Sequence, residues 1–163
     1  MRKLFRGRGA AGAVRIPPSR MTELQITQAI QESFVGVDIV AESGDSFFFY
    51  DPQRDTPPDH RFPFATLVTG DRYDSFSNLE RPGIFRLNIG IARVSFETLF
   101  GSSEGASYDF TELDQLMPHP VYGKMFWACV LNPSPETFSA VHRLLTEAYD
   151  LAAGRDARRA PTA

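Results

Sequence analysis

The chain has a single cysteine, Cys129, among 163 residues. No disulfide can form within it, and such usage fits a reducing cytoplasm, where the protein is expected to reside. Histidine is scarce too: His60, His119 and His142 stand apart, with neither His-x-x-x-His nor Cys-x-x-Cys spacing, so no metal site is expected. There is no Gly-x-Ser-x-Gly elbow and no Gly-Lys-Ser/Thr phosphate loop, which leaves serine-hydrolase and P-loop chemistry without support. No apolar run reaches the length of a signal-peptide core or a membrane span, and no stretch repeats at a fixed period. No cofactor is implied.

Acidic residues are missing from the first twenty positions, which carry Arg2, Lys3, Arg6, Arg8, Arg15 and Arg20. Of the 17 basic residues 11 remain after that segment, against 20 acids, so the rest of the chain has a balance of −9. Binding to phosphate backbones depends on clustered Lys and Arg, and nucleic acid is therefore disfavoured as a partner of the folded part. Gly7 to Gly12 satisfies a Gly-x-Gly-x-x-Gly spacing, but a basic segment precedes it and Ile16-Pro17-Pro18 follows, so the strand and helix of a dinucleotide site are lacking. Residues 1–20 are expected to be a disordered basic arm. An acid-free, Arg-rich start also resembles an organelle transit peptide, whereas Met21, which opens a well-formed helix, offers an alternative start of translation; the second explanation is favoured.

What is present is ample apolar material, 42% of the residues with 14 Phe among them. That suffices for one domain with an aromatic-rich core, expected over residues 21–153, with residues 154–163 as a frayed tail. Thr22 and Glu23 start a helix whose apolar set is Ile26, Ala29, Ile30 and Phe34. Val37 to Val40 and Ser46 to Tyr50 read as a hairpin, and Asp51 to His60, broken by three prolines, as a surface loop. Its Asp51, Asp55 and Asp59 read as a solvated acidic cluster rather than a cation site. Phe62 to Thr69 is a third strand and Gly70 to Gly83 is polar and turn-rich. Ile84 to Ile91 alternates cleanly, with Phe85, Leu87, Ile89 and Ile91 on one face and Arg86, Asn88 and Gly90 on the other. Ser95 to Phe100 reads as a short helix closed by Gly101, Ser102 to Ser107 as a flexible loop, and Thr111 to Leu116 as another short helix.

The organising stretch is Leu116 to Leu131, where the only Trp, the only Cys and His119 fall together. Lys124 to Leu131 is apolar on both alternating sets, as in a strand covered on two faces. Before it, Pro118-His119-Pro120 and Tyr122-Gly123 form a rigid loop. Ser134, Pro135 and Glu136 then start a long helix with the stripe Phe138, Val141, Leu145, Ala148 and Ala152, expected to end at Gly154. The order of elements predicts an α+β fold: a mainly antiparallel sheet with the N- and C-terminal helices packed on one face.

Phe34 to Val37, Asp45 to Asp51, Phe64 to Val68, Arg86 to Gly90, Met117 to Lys124, Trp127 and Glu147 to Leu151 together resemble a bacterial domain-of-unknown-function family, number 6194, over roughly Met21 to Ala153. The chain also resembles, distantly, the MmcQ/YjbR-like proteins, which implies a CyaY/frataxin-like sandwich. In those proteins a strand resembling Arg86 to Gly90 carries Leu-Lys, and a Lys-x-x-Trp resembles Lys124 to Trp127. Gly90 stands where that family has Lys, which weakens the DNA-binding role the likeness would imply.

The candidate site follows from the alternation. Arg86 and Asn88 share a polar face whose plain reading is solvation; the sharper reading joins them to His119, Tyr122, Lys124 and Trp127 around one pocket for a small anionic or planar ligand. His119 is read either as a loop residue bonded to backbone or as an acid–base group. Trp127 and Cys129 are read first as core, the thiol inert. A small non-enzymatic binding module is the preferred function. The alternative is an enzyme using His119 with Arg86 or Lys124, and a DNA-binding protein by MmcQ/YjbR analogy comes third.

Overall fold

A computed structural model describes residues 19–101 and 107–159; most of the basic arm and most of the Ser102 to Ser107 stretch lie outside them. Helix α1 (Glu23–Ser33) begins where Thr22 accepts from the Gln25 amide while the Gln25 side chain accepts from the Thr22 amide, a capping box that satisfies two N–H groups at once. Ile26 and Ile30 turn inward from it. Strands β1 (Val37–Glu42) and β2 (Asp45–Tyr50) pair antiparallel across a turn at Ser43 and Gly44. They are followed by β3 (Ala65–Val68), β4 (Arg86–Gly90), α2 (Arg93–Phe100), β5 (Met117–Pro118), β6 (Trp127–Leu131) and α3 (Pro135–Arg159). The six strands form one antiparallel sheet in the order β1-β2-β3-β4-β6-β5, and the α+β architecture is the expected one.

The alternation in β4 divides two layers. Leu87 and Ile89 face a large core shared with Ile26, Ile30 and Phe34 of the α1 end and with Phe138, Val141, Leu145 and Ala148 of α3. Within it the Phe34 ring stacks on Tyr149 and His142, at centroid distances of 4.8 and 5.5 Å. The other face carries a smaller cluster, Val68, Leu79, Met117, Cys129 and Leu131. Leu79 comes from the segment between β3 and β4, which is tied down by its own side chains: Asp71 accepts from the Leu79 amide, and Arg81 donates to the carbonyls of Ser77 and Thr111. That segment lies over the second face and is what gives the face a wall.

Several sequence expectations need correcting. α3 does not stop at Gly154 but runs to Arg159, whose guanidinium donates to the His60 carbonyl; an interior Gly costs only about 1 kcal/mol and is carried by the turns around it. Arg20, assigned to the arm, pairs with Asp114 at 2.7 Å, and the Met21 amide donates to the Pro133 carbonyl. Thr111 to Leu116 is not helical. There Asp114 has a φ of 62°, donates its amide to the Leu131 carbonyl and caps the Ser134 amide with its carboxylate, so its left-handed backbone and its bonds to distant segments take it out of a helix. β6 begins at Trp127 rather than Lys124, because a 3-10 turn at Gly123–Met125 and a left-handed Phe126 (φ 66°) intervene.

Candidate functional site

The register places side chains of four strands side by side on the second face. Phe47 of β2 pairs with Thr66 of β3, Thr66 with Asn88 of β4, and Asn88 with Cys129 of β6. One step along, Val68 pairs with Arg86, and at the other end Gly90 pairs with Trp127. Alternation points all of these except Gly90 outward from the helical layer as side chains of substance. Gly90 leaves the sheet bare there, and the indole of Trp127 occupies the space: a Cβ on residue 90 would stand 3.0 Å from the Trp127 ring.

Above this patch is a cavity of 440 Å³. Its floor is Arg86, Asn88, Asp74 and His119; Phe47, Thr66, Val68 and Trp127 form its sides, and Phe62, Tyr73, Tyr122 and Met125 its mouth. The mouth is apolar and open, Phe62 being 71%, Met125 62% and Tyr73 60% exposed. Its floor is nearly dry, with Arg86 1% and His119 4% exposed.

The solvated-face reading of Arg86 does not hold: its side chain is buried and ion-paired. Burying a guanidinium demands a counter-charge and acceptors. The turn-rich segment before β4 supplies both: Asp74 accepts from Nη2 at 2.7 Å and from Nη1 at 3.1 Å, and Ser77 Oγ accepts from Nη1 at 2.9 Å. Asn88 accepts from Nε at 3.0 Å and donates onward to Thr66. Burial alone would raise the Asp74 carboxyl, but the bonds and charge of Arg86 outweigh it and hold the group below the usual carboxylate range.

His119 is held by its own loop. Its Nδ1 accepts from the amides of Val121 and Tyr122 at 3.1 and 2.9 Å, and its carbonyl accepts from the Gly123 amide. The structural-loop reading of this residue thus describes its contacts. Burial, reinforced by the neighbouring Arg86 charge and only partly opposed by Asp74, lowers the imidazole from 6.5 to about 4. The ring is neutral at physiological pH. Tyr122 packs beside it, ring centroids 5.0 Å apart.

Of the six residues expected to share a pocket, Arg86, Asn88, His119, Tyr122 and Trp127 border the same cavity, and Lys124 does not. The 3-10 turn carries Lys124 to the other side of the loop, where it lines a second cavity of 340 Å³ with Phe96, Tyr108, Phe110 and Pro118. His119 borders both. Trp127 is half-buried rather than core. Cys129 is fully buried, donates to the Pro118 carbonyl, and has its thiol pushed up to about 12 by burial. Asp74, Ser77, Phe62 and Tyr73 escaped the sequence reading. One signal points to the acid: an Arg buried on a sheet face needs a carboxylate partner.

The model of a family of unknown function (DUF6194) matches residues 21–161. The chain belongs to that family. No curated protein and no solved structure matches it. The DUF6194 match takes in every element of the sheet and every residue of the cavity. Among the described residues no helix is long and apolar enough to cross a membrane.

Proposed function

We propose that this DUF6194 protein is a non-enzymatic binding module that takes a small planar ligand into the cavity over Arg86 and Trp127. The observation that carries the reading is the pairing of a dry, ion-paired floor with an open aromatic mouth. Its volume of 440 Å³ falls within the roughly 300 to 1,000 Å³ of small-molecule sites, which combine apolar walls with a few fixed polar groups. Phe62, Tyr73 and Met125 are large apolar side chains left in water around one opening, and a clustered patch of that kind marks a binding surface more often than scattered exposure does.

Between the planar and the anionic ligand, the charges favour the planar one. The Arg86 cation is matched by Asp74 in a two-point pair, His119 is neutral, and Lys124 faces another cavity. Base catalysis by His119 has little support, since the Nδ1 lone pair is taken by two amides and the ring gains a proton only near pH 4. A nucleic-acid role by MmcQ/YjbR analogy is weakened at Gly90, which lies beneath the Trp127 indole where that analogy would call for Lys. A reducing, cytoplasmic setting accompanies the proposal and is supported by the lone, buried Cys129 thiol.

The test is a proton–nitrogen correlation NMR screen of the full chain against planar one- and two-ring compounds. Hits should move the Trp127 indole and the amides of Thr66 and Tyr122 together. Hits that instead move Phe96 and Lys124, or none from several hundred compounds, would refute the proposal.

A further inference from the structure

In the floor of the cavity two donor nitrogens, Arg86 Nη2 and His119 Nε2, lie 3.3 Å apart. Arg86 has five N–H groups. Nε–H is taken by Asn88, both hydrogens of Nη1 by Asp74 and Ser77, and one of Nη2 by Asp74. The fifth, also on Nη2, is directed at His119 Nε2, 3.3 Å away. That nitrogen is the wrong partner. Because Nδ1 accepts two backbone N–H groups, it carries no proton, and the single proton of a neutral imidazole must then sit on Nε2. Two N–H groups converge, and neither can accept from the other.

We propose that the ligand of this cavity presents a neutral carbonyl-class oxygen to the His119 Nε2–H and the fifth N–H of Arg86 together. The inference rests on the planar-ligand reading above and specifies the ligand's polar end. A carbonyl oxygen is an acceptor with two lone pairs and no hydrogen, which matches two converging donors. A carboxylate would offer the same lone pairs but bring a second negative charge beside Asp74, whose own charge already matches Arg86. Both donors are nearly dry, so leaving them to an apolar group is costly in a way that it would not be at the surface.

Two experiments decide the matter. Long-range proton–nitrogen NMR on the ligand-free full chain reads the His119 tautomer directly. The expected result is a bare Nδ1 and a protonated Nε2; a proton on Nδ1 would let the ring accept from Arg86 and would overturn the inference while leaving the cavity reading intact. Calorimetric titration with 3-acetylindole, 3-ethylindole and indole-3-carboxylate, which share a planar body and differ at the polar end, then reads the preference. 3-Acetylindole should bind about tenfold more tightly than either of the others. His119→Asn, whose side-chain oxygen still accepts from the loop amides, should remove that advantage and bring 3-acetylindole down to 3-ethylindole. Equal binding of the acetyl and ethyl compounds to the wild type, or tightest binding of the carboxylate, would overturn the inference but keep the planar site. No binding of any of the three, where the NMR screen has returned planar hits at Trp127, would overturn the inference and keep the planar site; a screen without such hits would sink both.

Discussion

Arg86 and Asp74 meet beneath the cavity as a two-point ion pair, Nη2 to Oδ2 at 2.7 Å and Nη1 to Oδ1 at 3.1 Å, with both side chains almost without solvent. The pair joins β4 to the segment that walls the second face, so its integrity sets the depth and the charge of the site at once. Removing one partner strands the other as a buried charge.

Arg86→Met should therefore destabilise the protein by about 3 to 5 kcal/mol, and Asp74→Asn in the same background should recover part of that loss. Urea unfolding of the two single variants and the double variant measures it. A cost below about 1 kcal/mol for Arg86→Met would mean that the guanidinium is solvated, as the simple polar-face reading of β4 had it.

Stability should also fall on mild acidification. His119 is held at about 4 in the folded protein against 6.5 ordinarily, so the unfolded chain binds more protons between those values. The contribution is present in full above pH 6.5 and is lost as the pH falls towards 4, in total about 3 kcal/mol. Asp74, held below its usual range by Arg86 against the opposing effect of burial, extends the loss further into acid. Denaturant midpoints measured across this window should slope in the wild type and flatten in His119→Asn; equal slopes would assign the acid sensitivity elsewhere.

The closeness of Gly90 and Trp127 gives a third expectation. Gly90→Ala puts a methyl group 3.0 Å from the indole and should swing the ring outward, moving the emission of this sole tryptophan to longer wavelength with little change in unfolding midpoint. Trp127→Ala, at a half-buried position, should cost about 1 to 3 kcal/mol, less than truncation of a fully buried indole. An unchanged spectrum in Gly90→Ala would show that the ring does not rest on the strand.

Truncating the chain before Ser19 leaves a strongly acidic body, and that body should show no fluorescence-anisotropy change with duplex or single-stranded DNA at low salt. Micromolar binding that weakens steeply with added salt would instead favour the DNA-binding role of the MmcQ/YjbR-like proteins.

The parts of this architecture that local chemistry decides were readable in advance. Thr22 and Ser134 cap the helices they were expected to cap, and the alternation from Phe85 to Ile91 divides the two layers as period-two patterning requires. What could not be read depends on contacts distant in sequence or on backbone detail. Asp74 lies 12 residues before Arg86 in a segment with several acids, and only its closure over the sheet selects the partner. Lys124 is lost to the site because it sits in a 3-10 turn closed by a left-handed Phe126, a conformation uncommon for a bulky residue that leaves no trace in the apolar pattern. Gly154 looked like a helix stop, yet Arg159 reaches back to His60 and the helix continues.

The central claim is that the cavity over Arg86 and Trp127 holds a planar molecule, and a crystal structure of the protein soaked with its strongest NMR hit tests it most directly. The account predicts density for a flat ring between Trp127 and Phe62 with its polar atom at the Arg86 and His119 floor. Density lodged instead beside Lys124 and Phe96, or a hit bound only at the surface, would contradict it.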